Sequence, residues 1–113
     1  GLQQTHACGY LHGDLRPSNV LIDEYGILKL SGFGLARANK ASTKNTAVAV
    51  AVAVAEGRDP TYMAPEIFAV GEDAMSFASD FWSLGCVLYE LLVGEPPFRS
   101  SESATVAEIV ARE

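Results

Sequence analysis

The sequence has 113 residues, of which 49% are hydrophobic and 19% charged, with a formal net charge of −6. That composition excludes a disordered chain and fits one small globular domain. The acidic balance, spread along the chain, argues against nucleic acid or an anionic membrane as a partner, and no apolar run is long enough for a membrane span. No signal peptide is visible, and the two cysteines, Cys8 and Cys86, have no metal-ligand spacing. The chain starts with Gly1 and ends at Glu113 inside a helical pattern, so both ends read as cut.

In chain order, Leu2 to Cys8 reads as the last turns of a helix closed by Gly9. Val20-Leu21-Ile22-Asp23 and Ile27-Leu28-Lys29-Leu30 read as two short strands. Glu24-Tyr25-Gly26 between them makes a hairpin. From Gly32 to Glu66 regular signals are few, and the segment carries an alternating Ala/Val tract at 47–55. Alternation of two apolar residues gives no amphipathy, so a simple-repeat expansion in a loop is the preferred origin; exposed, such a tract is an aggregation hazard. Ser79 to Val93 is apolar nearly all round, through Phe81, Trp82, Leu84, Val87, Leu88, Leu91 and Leu92. A helix of that kind belongs in a core, with Trp82 and Cys86 as core residues. Gly94 stops it and Pro96-Pro97 prevents resumption. Val106, Ile109 and Val110 give a single apolar stripe on a final helix.

Four blocks carry chemistry. They are His12-Gly13-Asp14-Leu15-Arg16-Pro17-Ser18-Asn19; Ile27 to Arg37, which contains Gly32-Phe33-Gly34; Pro60-Thr61-Tyr62-Met63-Ala64-Pro65-Glu66; and Ser79-Asp80-Phe81-Trp82-Ser83-Leu84-Gly85. Their order and spacing resemble the catalytic loop, D-F-G segment, A-P-E block and buried helix of the eukaryotic protein kinase catalytic domain. Arg16 with Pro17-Ser18-Asn19 resembles the serine/threonine branch. The wording from Ser76 to Glu90, with Gly94-Glu95-Pro96-Pro97-Phe98, is similar to the Unc-51-like and Fused group.

The resemblance implies an α+β fold: a partial protein-kinase-like domain over 1–113, mainly a helical C-terminal lobe with a short β-hairpin beside the catalytic loop. The N-terminal lobe is absent, since no G-x-G-x-x-G loop, strand lysine or partner glutamate occurs. It implies ATP and magnesium as cofactors, a protein substrate or protein partner, and a cytoplasmic location. Phosphoryl transfer rests on positioning and charge neutralisation. By resemblance, Asp14 receives or orients the attacking hydroxyl, Arg16 stands where lysine steadies the transferred group, and Asn19 binds the cofactor by helping to hold magnesium. The bland alternative for these three is a polar turn whose side chains bond only to backbone.

The departures carry equal weight. Gly32 stands in place of the D-F-G aspartate, a main magnesium ligand of the family, and Gly13 replaces the arginine that meets a phosphorylated activation segment. Arg58-Asp59 replaces the usual Gly-Thr, and an acidic group there is expected to repel substrate phosphate or Asp14. Asp80 is expected to bond the catalytic-loop backbone, while His6 and His12 read as structural. An aspartate introduced at position 32 is expected to improve magnesium-dependent nucleotide binding. Three readings stay open: a serine/threonine kinase domain inactive as this fragment, a pseudokinase scaffold or regulatory partner, and a non-functional gene fragment.

Overall fold

The computed structural model describes residues 1–38, 57–71 and 74–98; the Ala/Val tract and the expected final helix lie outside them. Among the described residues are three α-helices and two two-stranded antiparallel sheets. Helix α1 (Leu2–Ala7) is a short piece with its N-terminus tied by the Gly1 ammonium to Gln4 Oε1 at 2.7 Å. It leads through Cys8 and Gly9 into β1 (Tyr10–Leu11).

The expected hairpin is present. Strand β2 (Val20–Ile22) pairs with β3 (Leu28–Leu30) in the register Val20 with Leu30 and Ile22 with Leu28. Asp23 organises the turn: its Oδ1 accepts the N–H groups of Tyr25 and Ile27, both at 2.9 Å, and its Oδ2 lies 3.0 Å from Lys29 Nζ. A carboxylate that gathers local backbone donors in this way is a turn-former. The Ile27 N–H first, and the Lys29 ammonium after it, hold the Asp23 carboxyl below its usual value.

A second ladder went unread in the sequence. Strand β4 (Arg37–Ala38) pairs with β1, with Leu11 opposite Arg37 and Tyr10 opposite Ala38. Two-residue strands leave no periodicity to detect, and their partner is 26 to 28 positions away. Helix α2 (Pro65–Val70) was also unread. Its signals are Pro65 at the first helical position and Gly71 just past the end, too short a span for an apolar stripe to repeat.

Helix α3 (Phe77–Val93) begins two residues earlier than expected. Ser79 Oγ accepts the Ser76 N–H at 2.9 Å, which satisfies one of the donors at the helix start. It ends at Gly94, whose N–H returns to Glu90 O at 2.8 Å. The core sits around one face of this helix. Leu11, Met63, Ala64, Ile67 and Met75 form one buried cluster, flanked by Phe68, Phe77 and Trp82; Cys86 and Phe98 form a second. Trp82 and Cys86 thus lie where the sequence put them. The helix that reads as apolar nearly all round is only partly covered by the described residues. Phe81, Leu84, Leu88, Leu91 and Leu92 are exposed, Leu92 by 80%.

Candidate functional site

The loop from His12 to Asn19 is built on Asp80, near the start of α3. Asp80 is 2% exposed, and its carboxylate is fully engaged. Oδ2 accepts the His12 N–H at 2.8 Å and meets His6 Nε2 at 2.7 Å; Oδ1 accepts the Gly13 N–H at 2.9 Å. A buried carboxylate is tolerable because donors surround it, and here those donors are the loop backbone itself. The expected contact between Asp80 and the loop is therefore present.

His12 is fully buried and locked at both ring nitrogens. Nε2 faces Ser31 O at 2.7 Å, and a carbonyl only accepts, so Nε2 carries the hydrogen. Nδ1 is then the acceptor of the Asp14 N–H at 3.2 Å. The neutral Nε2–H tautomer thus ties the catalytic-loop candidate to the segment before Gly32. Phe33 closes on the same ring edge-to-face, with centroids 4.7 Å apart. Both histidines are structural, as expected.

Three candidate residues come together. Asn19 Nδ2 donates to Asp14 O at 2.7 Å and to Asp14 Oδ2 at 3.0 Å. Arg16 Nε lies 3.6 Å from the same Oδ2, an ion pair too long for a hydrogen bond. Leu15 between them is 2% exposed and anchors the loop in the interior. The Arg16 side chain stays half-buried, while that of Asp14 is largely buried, 11% exposed.

Arg58, which reads in the sequence only as a substitution, makes a contact that the sequence does not show. It is 3% exposed, and its Nε donates to Gly13 O at 3.0 Å. The signal was the arginine in place of a small residue just before Pro60, beside a glycine in place of arginine at position 13. Gly13 has φ +76°; a side chain there would be strained and would meet Met75 Cε at 2.9 Å and Leu35 O at 3.2 Å. Asp59 is also accounted for. Its Oδ1 accepts the Thr61 N–H at 3.0 Å, capping the turn Pro60–Tyr62, so the carboxylate has a local structural use beside the repulsive one expected. Tyr62 in that turn donates to Glu90 Oε2 at 2.6 Å, and Ser83 Oγ donates to Tyr62 O at 2.6 Å, which joins the segment to α3.

No group of three or more His, Cys, Asp or Glu side chains among the described residues could hold an ion. Gly32 offers no carboxylate, and Asn19 directs its amide nitrogen, not its oxygen, at Asp14. A flipped amide would set oxygen against two acceptors, so the network fixes this orientation. An apolar groove between the hairpin and α3, lined by Leu2, Val20, Leu30, Leu84, Leu88 and Leu91 among others, does not include Asp14, Arg16 or Asn19. No helix of the described residues is long and apolar enough to cross a membrane.

The chain matches the protein kinase domain family over residues 1–113; the match identifies the domain and does not assign the chain to one of its lobes. It is 45% identical over 101 residues to the serine/threonine-protein kinase RUNKEL of Arabidopsis thaliana, covering 89% of this chain and 7% of that protein. It is 38% identical over 112 residues to the serine/threonine-protein kinase fused of Drosophila melanogaster, covering 99% of this chain and 13% of the relative. The serine/threonine-protein kinase PknB of Mycobacterium leprae is also 38% identical over 112 residues, with 99% and 17% covered. The chain spans a third or less of the length of these relatives. With a family match along its whole length, mixed helix and strand content and a catalytic-loop block held on a buried aspartate, the chain belongs to the serine/threonine protein kinase domain family.

Proposed function

We propose that the chain is the stretch of a serine/threonine protein kinase domain from the catalytic loop into the C-terminal lobe, and that it transfers no phosphate as it stands. In this reading Asp14 is the carboxylate that would orient an attacking hydroxyl, Arg16 the cation beside it, and Asn19 the family's metal-binding amide. ATP with magnesium would be the family's cofactor and a protein the phosphate acceptor. The order of the four sequence blocks supports the assignment to the C-terminal lobe.

The observation that carries the inactive reading is position 32. A magnesium ion needs oxygen ligands with carboxylate charge, and Gly32 supplies neither. With glycine at 32, the neutral Asn19 amide alone does not fit a magnesium ion. What the chain's own residues do is hold a loop: Asp80 gathers two N–H groups, His12 bridges to Ser31, and Asn19 fixes Asp14. These bonds lie inside the fold; a loop kept in order while position 32 lacks its carboxylate supports a pseudokinase-like regulatory role as the second reading.

Incubation with γ-labelled ATP, magnesium and a generic basic protein tests the proposal. The expected incorporation equals that of Asp14→Asn; labelling that depends on Asp14 would overturn it.

A further inference from the structure

Asp14 follows a glycine, and Gly13 has no side chain of its own to restrain the peptide unit between them. The structure holds that unit from outside, at both ends. Its N–H, on Asp14, donates to His12 Nδ1 at 3.2 Å, and its oxygen, on Gly13, accepts the Arg58 Nε–H at 3.0 Å. The preceding unit is held by Asp80, whose Oδ1 accepts the Gly13 N–H at 2.9 Å. Gly13 thus lies between a buried carboxylate and a buried guanidinium. Hydrogen bonds to ionised groups are the stronger kind. Both clamps hang on α3. Asp80 is part of that helix, and the turn that follows Arg58 is tied to it by Ser83 on Tyr62 O and by Tyr62 on Glu90.

We propose that Arg58 is a positioning residue for Asp14: its Nε–H locks the segment before Pro60 onto the loop, with no phosphate group needed on that segment. The inference rests on the reading of Asp14 as the functional carboxylate, and it deepens that reading. A peptide unit is planar, so fixing its oxygen and its N–H fixes the direction in which the chain enters Asp14. The cation comes from the segment and the acceptor is loop backbone, so both halves of the lock belong to the unmodified chain. Gly13 keeps the space clear. At φ +76° a Cβ there would meet Met75 Cε at 2.9 Å and Leu35 O at 3.2 Å, with Arg58 Nη2 3.8 Å away.

Hydrogen exchange of single amides tests the lock, on chain whose intact mass shows no phosphate. In Arg58→Ala the Asp14 N–H should exchange at least about tenfold faster, while the His12 and Gly13 N–H groups, held by Asp80, change by less than about twofold. Equal acceleration at the three amides is what a merely structural arginine gives. It would overturn the proposal, as would an unchanged Asp14 N–H. Arg58→Lys keeps the charge but places a methylene where Nε stood. It should match alanine at the Asp14 N–H; protection equal to that of arginine would overturn the assignment to Nε.

The unmodified chain supplies a second measurement, independent of whether the variants fold. The Arg58 Nε–H should give a slowly exchanging resonance in nitrogen-correlated spectra, with cross-peaks to the Gly13 α-protons. Rapid exchange of that proton with water would overturn the lock. Asp14-dependent phosphate transfer would instead sink the inactive reading and leave the lock standing.

Discussion

Asp80 shows how one buried side chain decides the shape of a loop. Its two oxygens accept the N–H groups of His12 and Gly13, and His6 adds a third donor, stacked on Phe77 with centroids 4.3 Å apart. Removing the carboxylate leaves two buried backbone donors without partners, which costs far more than a surface contact. Asp80→Ala is expected to destabilise the chain by about 2–4 kcal/mol, read from the urea midpoint. Kinase resemblance made the Asp80 contact legible in the sequence. The His6 contact was not, because histidine and aspartate 74 positions apart carry no local pattern. The same holds for Arg58. Its exchange with Gly13 was visible as two substitutions, but only the fold brings Arg58 Nε to the Gly13 carbonyl.

At the scale of elements, the hairpin and α3 were legible because each has enough residues to show its period and its stop. The β1–β4 ladder and α2 were too short for that, and tertiary pairing decides them. The turn Pro60–Tyr62 is tied to α3 by the Tyr62 hydroxyl on Glu90. Burial first, and then the Glu90 carboxylate, push the Tyr62 phenol well above its usual value of 10. The raised value means that the folded state holds the proton more tightly than the unfolded one. This contribution is therefore complete below the unfolded phenol value and is lost as pH rises through the folded one. Tyr62→Phe should remove an ionisation above the usual phenol range from an alkaline absorbance titration and flatten the loss of stability above about pH 10. Loss of an ionisation near the usual value of 10 instead would mean that the phenol–Glu90 bond is not made.

The whole molecule pairs a well-ordered polar loop with an apolar flank that its described residues leave open. Leu88, Leu91 and Leu92 on α3 and Ile22, Ile27 and Leu28 on the hairpin are all more than half exposed. Contiguous apolar surface on that scale drives association. Sedimentation of the chain should show mass rising with concentration through the micromolar range, and Leu88→Lys with Leu91→Lys should suppress it; the same concentration dependence in that variant would place the contact elsewhere. The family was readable from four blocks in order, and the match along residues 1–113 agrees with it. The way the site is closed was not readable. Asn19 and Gly32 are 13 positions apart, and their contact depends on the register of Val20 with Leu30.

A kinase-family loop held on Asp80, with glycine where the family has the metal-binding carboxylate, should bind ATP with little help from magnesium. Titration calorimetry of ATP into the chain, with and without magnesium, tests this most directly. Magnesium is expected to change ATP affinity by less than about twofold, because Gly32 supplies no carboxylate charge. Binding at least about tenfold tighter with magnesium, and lost in Asn19→Ala, would contradict it.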